Sequence, residues 1–165
     1  MNRGKIAILL GQADEAYQQE FIKGVMEQAF EKDYDVCVFS MYIKYQNSKE
    51  REIGDSNIYN LVNYEMFDAV IVMSDTIQTP EVEAKIEEKI HDVYKGPVIC
   101  IDTDSPFFFN YWIDGSAEIY DIVSHMIEVH GMKDIAFLSG NTKLKLFNVV
   151  INISIILLIW TALYL

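Results

Sequence analysis

Polar groups able to do chemistry recur directly after short apolar runs. Gln12 follows IAILLG, Ser74 and Asp75 follow AVIVM, Asp102 and Asp104 follow PVICI, and Asp114 with Gly115 opens a helical stretch. Asp102 and Asp104 could act as an acid pair. Two carboxylates at this spacing after a strand more often cap a turn or bind hydroxyl groups, so catalysis is not expected. Ser74 and Ser139 lack a nucleophile-elbow pattern, which leaves hydrolase chemistry without support.

Other chemistries are excluded by what the loops lack. The first loop, GQADEAY, holds one Gly and two acids, whereas a dinucleotide or Walker-type site needs glycines that let phosphate approach backbone amides. Small hydroxyl residues that would hold a flavin mononucleotide are missing from it as well. A phosphoryl-accepting receiver would need an acid pair after the first strand and a Lys after the fifth; here those positions read Gly11-Gln12 and Ser139-Gly140. No cofactor is therefore expected. Of the histidines, His91 and His125 fall on helices and His130 at a helix end. The five-residue step from His125 to His130 is not the i, i+4 spacing of a helical zinc motif, so no metal site is expected. Cys37 and Cys100 each sit in an apolar run and read as buried, reduced thiols.

These residues need elements to position them. Apolar runs at 5–10, 36–41, 69–73, 97–101 and 134–140 are unpatterned by face, as strands covered on both sides are. Between them runs a period near 3.6. One helix spans about 14–32, with Phe21, Ile22, Val25, Met26, Ala29 and Phe30 on its inner face. A short stripe of Ile58, Leu61 and Val62 lies between Asp55 and Tyr64. A third helix starts at Thr79-Pro80 and turns Val82, Ile86, Ile90 and Val93 inward. The fourth spans about 116–130, with Ile119, Ile122, Val123, Met126 and Ile127 inward, and stops at Gly131. The acidic run EVEAKIEEKIHD reads as a solvated face. Phe107, Phe108, Phe109, Tyr111 and Trp112 read either as a stacking wall for a flat ligand or as the packing of a next strand. Alternating strands and helices predict an α/β fold: an open parallel sheet with helices on both faces, a Rossmann-like three-layer α/β/α arrangement. Ligands bind such sheets beyond the carboxyl ends of the strands, where Gln12, Ser74, Asp75, Asp102 and Asp114 gather.

The chain has 165 residues, with 25 acids against 13 basic residues and a net charge of −12, a field that repels phosphate backbones; no nucleic-acid binding is expected. All the acids and 12 of the basic residues precede Leu144, and the final segment 146–165 carries no charge. Its length suits a membrane-spanning helix with Lys143 and Lys145 on the cytoplasmic side, giving a membrane-anchored α/β interaction protein. The reading preferred over that anchor is a tail foreign to the fold, left where a frame shift truncated a longer protein. The apolar run near the amino end is too short for a signal peptide, which predicts a cytoplasmic domain.

IAILL, FDAVIVMSD, GPVICIDTD and above all WIDGSAEIYDIVSHMIEVHGMKDIAFLSGN resemble the first lobe of the lactose-repressor (LacI) type of periplasmic-binding-protein-like sensor domain. The similarity runs over about residues 4–142, which defines a ligand-binding lobe at 1–142. SNIYNLVNYEMFDAVIV is similar to sensor lobes that precede diguanylate cyclase (GGDEF) domains. The resemblance implies a non-catalytic sensor of a small hydroxylated ligand, a sugar or nucleoside. By the same resemblance it would belong to a transcriptional regulator or a sensor cyclase, and two copies would pair through this lobe as a homodimer. Asp114 matches an acid that accepts hydrogen bonds from ligand hydroxyls. Ser74, Asp75 and Asp102 match positions facing the cleft, with Gln12 and Tyr17 beside them. No DNA-reading headpiece precedes Arg3, and the expected second lobe does not follow Asn141.

Overall fold

Strand β1 (Gly4–Gly11) lies in the interior of its sheet, and its apolar run is buried accordingly: Ala7, Ile8, Leu9 and Leu10 are wholly inaccessible to solvent. The computed structural model describes residues 3–42, 48–112 and 115–136. Two compact units divide between Trp112 and Ile113.

In the first unit β1 pairs in parallel with β2 (Tyr34–Met41) on one side and β3 (Ala69–Val72) on the other. Then β4 (Val98–Ile101) and β5 (Phe109–Tyr111) extend the sheet, all parallel, in the order β2-β1-β3-β4-β5. The expected parallel α/β sheet is thus present. Strand order reverses between β1 and β3, which makes the gap beyond their carboxyl ends the switch point of the sheet.

Side chains alternate between two cores, as the strand period of two requires. Ala7, Leu9, Val70, Val72, Val98 and Cys100 face α4 (Pro80–Val93), meeting Ile86 and Ile90. Ile8, Leu10, Met73 and Ile101 face α1 (Ala16–Glu31), meeting Phe21, Ile22 and Val25. Each fully buried aliphatic chain contributes about 1.5–3 kcal/mol.

Several expectations need correction. The helix expected between Asp55 and Tyr64 lies earlier, as α2 (Lys49–Ser56), because Ser48 accepts a hydrogen bond from Arg51 N and Glu50 and Glu52 occupy the positive end of the helix dipole. Asn57–Leu61 and Tyr64–Met66 are tighter 3-10 turns, where Asn63 diverts Glu65 N to its side chain. Tyr59, Val62 and Tyr64 supply the buried surface there, and Leu61 is exposed. On α1, Ala29 is buried but Met26 and Phe30 are exposed. Thr79 precedes α4 and Pro80 opens it, without a side-chain cap, and Val93 is exposed. Cys37 and Cys100 are both free, and only Cys100 is fully buried.

The strand expected at 134–140 is not found where it is described: residues 134–136 have no regular structure, and 137–140 lie outside the described residues. The fifth strand is built from the aromatic cluster instead. Asn110 closes the preceding loop by accepting from Ser105 N at 3.0 Å and donating to Ser105 O at 2.9 Å, which sets Phe109–Tyr111 beside β4. Phe108 packs on the core, while Phe109 and Tyr111 are exposed.

In the second unit, α5 (Ser116–Glu128) ends in a turn at Gly131, whose φ of +63° is the left-handed conformation expected of this glycine. No residue of α5 is fully buried. Among the described residues no helix is long and apolar enough to cross a membrane; segment 146–165 lies outside them.

Candidate functional site

The carboxyl end of β1 is held by neighbours on every side. Gly11 N donates to Thr76 Oγ1 at 2.8 Å, and Gln18 Nε2 donates to Gly11 O at 3.2 Å. Tyr59 Oη donates to Leu10 O at 2.7 Å, and Gln12 N to Met41 O at 2.6 Å. Gly11 has to be glycine: a Cβ there would stand 2.3 Å from the backbone oxygen of Thr76. The one-turn helix α3 (Ser74–Ile77) therefore lies directly against the end of β1 and carries Asp75 to the switch point.

Two residues just beyond strands adopt the left-handed conformation without being glycine, Gln12 at φ 56° after β1 and Asp102 at φ 54° after β4. Such positions cost on the order of 1–3 kcal/mol, less for Asp, and persist only where the surroundings impose them. For Asp102 the constraint is visible: its N donates to Tyr111 O at 2.9 Å, and its Oδ2 accepts from Tyr17 Oη at 2.8 Å. Tyr17 comes from the first turn of α1, so this bond ties the α1 side of the site to β4.

Asp75 faces the same place. Partial desolvation, and then the charge of Asp102, raise its carboxyl above the ordinary carboxylate value. Burial, the bond to Asp102 and the charges of Asp102 and Asp75 raise the Tyr17 hydroxyl well above its ordinary value, so it remains a neutral donor. Tyr17, Asp75 and Asp102 thus share one electrostatic neighbourhood.

Behind this rim lies a second layer. Ser74 Oγ donates to Glu87 Oε1 at 3.2 Å, and Thr103 Oγ1 donates to Glu83 Oε1 at 3.1 Å. Desolvation, with the charges of Glu87 and Asp75, raises the Glu83 carboxyl against the opposing bond from Thr103. Burial and the charge of Glu87 push the Cys100 thiol up to about 12, which leaves it protonated and unreactive.

Of the residues expected at the site, Asp75 and Asp102 come together, with Tyr17 bonded between helix and strand. Gln12 is at the same end but almost fully buried. Ser74 is wholly buried and its hydroxyl is turned to Glu87, so it supports the rim from behind instead of facing solvent. Asp114 lies outside the described residues. The EVEAKIEEKIHD face is not uniformly solvated, since Glu87 is buried and Glu83 half-buried. Gln18, Thr76, Glu83 and Glu87 escaped the sequence reading. A signal for Gln18 and Glu87 existed, because each falls in the apolar stripe of its helix, with Ile22 and Val25 or with Ile86 and Ile90.

A rim of acceptors without a surplus of donors suits ligands that bring O–H or N–H groups and rejects anions. Two apolar hollows lie along α1 instead, one of about 320 Å³ lined by Ile6, Val25, Ala29 and Tyr34 among others. They offer no comparable convergence of polar groups. Fold and rim together define an open parallel α/β unit with an acidic switch point. In comparisons with known proteins, the chain matches no family model and no curated relative.

Proposed function

We propose that the parallel-sheet unit is a non-catalytic receptor lobe for a neutral, polyhydroxylated small molecule of the sugar or nucleoside type. One observation carries the reading: the Tyr17–Asp102 hydrogen bond with Asp75 beside it, where the strand order reverses. Carboxylates accept hydrogen bonds from paired hydroxyls, and each such charged bond contributes about 1.5–3 kcal/mol. The nucleophile types at this end, Ser74 and Cys100, are buried and engaged, which favours binding over covalent chemistry. The resemblance to lactose-repressor-type sensor lobes supports the same reading and suggests a regulator or a sensor cyclase as its context.

Thermal-shift and calorimetric screening of the chain against monosaccharides and nucleosides tests it. A ligand at a hundred times its Kd stabilises the fold by about 2.7 kcal/mol. Asp102→Ala is expected to weaken that ligand about 10- to 100-fold. No ligand in either class, or a ligand indifferent to Asp102→Ala and Asp75→Ala, would overturn the proposal.

A further inference from the structure

Five residues along an uninterrupted helix rotate a side chain by about 140°, so His125 and His130 should face apart. They do not, because α5 is ended by Gly131. Its N donates to Ile127 O at 3.0 Å and Met132 N donates to Met126 O at 3.1 Å, which turns the chain back over the last helical turn. His130 Nε2 thereby stands 3.2 Å from His125 Nε2, with the rings 4.9 Å apart and 78° between their planes. Both rings are exposed.

Two imidazole nitrogens this close either share one N–H proton or direct two lone pairs at a common cation. Zinc binds imidazole nitrogen at about 2.0–2.1 Å; that bond length places two ligand nitrogens about 2.9 Å apart at a right angle and about 3.4 Å apart at the tetrahedral angle. The observed separation falls between these limits without any movement of the helix. We infer that His125 and His130 form a two-imidazole clamp for a divalent transition-metal ion of the zinc class. Among the described residues no third His, Cys, Asp or Glu completes a group of ligands, so the remaining coordination positions stay open to water or to another donor. The bound ion staples the last turn of α5 to the segment that follows it. This site is independent of the acidic rim.

Calorimetric titration of the whole chain with Zn²⁺ tests the inference. One ion per chain is expected, and His125→Asn and His130→Asn should each weaken binding by about tenfold or more, while His91→Asn changes nothing. His130→Cys keeps a ligating atom and should retain binding, which separates loss of a ligand from loss of the helix; far-ultraviolet circular dichroism reads the helix directly. Zinc binding of equal strength in both Asn variants, or none up to about 1 mM free zinc, overturns it and leaves a hydrogen-bonded histidine pair only.

Discussion

The two ends of the sheet use the same residue types in opposite ways. At the amino ends acids are consumed by structure: Asp68 Oδ2 accepts from Lys5 N at 2.7 Å, and Asp35 pairs with Arg3 at 3.3 Å. At the carboxyl ends Asp75 and Asp102 stand in each other's field, with Glu83 and Glu87 behind them. Pairing opposite charges and capping backbone donors lowers the energy of the fold, whereas gathering like charges raises it. Polar groups held against that cost single out the end proposed to bind. Strain alone does not make the distinction, since Asp33, in the turn before β2, also has a positive φ of 59°.

The two glycines at the ends of β1 give the largest contrast. A Cβ on Gly11 would meet backbone, the Thr76 oxygen at 2.3 Å, whereas one on Gly4 would meet the ring of Tyr34 at 2.4 Å. A ring can swing away and a backbone carbonyl cannot. Gly11→Ala is expected to destabilise by about 1–3 kcal/mol and to abolish ligand binding by displacing α3. Gly4→Ala should cost under about 1 kcal/mol. Melting temperatures check this, at about 4–8 °C per kcal/mol for a domain of about 100 residues; equal losses at both positions would remove the distinction between the ends.

Next in size comes a pair of acids. Asp102→Ala should weaken the ligand about 10- to 100-fold. Asp68→Ala should leave binding unchanged and lower stability by about 1 kcal/mol, because it removes the acceptor of Lys5 N. Calorimetry and thermal melts on the two variants read both effects, and a loss of binding in Asp68→Ala would contradict the assignment of the ends.

This division explains which parts were legible in sequence. Strand β1 announced itself because a strand buried on both faces is apolar along its buried length, β2 to β4 showed as short apolar runs beside it, and Asp75 and Asp102 followed as the first acids after β3 and β4. Strand β5 was obscured because it is short and Phe109 and Tyr111 lie at an exposed edge, where placement rests on the hydrogen bonds between Ser105 and Asn110 and not on an apolar run. Glu87 was misread because a carboxylate inside an apolar stripe is buried only if a partner such as Ser74 meets it, and that partner lies on another element. The closeness of His125 and His130 was hidden because it depends on the reversal at Gly131, not on helical spacing.

The smallest effect has the opposite sign. The folded protein raises the Asp75 carboxyl above its ordinary value near 3.8, so the folded state holds that proton more tightly than the unfolded chain does. The contribution of this group to stability is fully present below the unfolded value and is lost as pH rises through the raised folded value. At neutral pH Asp75 is therefore a burden on the fold, which Asp75→Asn removes. The variant should melt above the parent at pH 7.5, and the difference should shrink as pH falls towards the unperturbed value, while ligand affinity drops at both. Asp68, whose carboxylate serves a backbone N–H at the other end of the sheet, should give no such gain when changed to Asn. Melting curves of the two Asn variants across pH 4–8 decide the matter: if Asp75→Asn is destabilising at pH 7.5, the carboxylate serves the fold as Asp68 does, and the contrast between the two ends of the sheet loses its electrostatic basis.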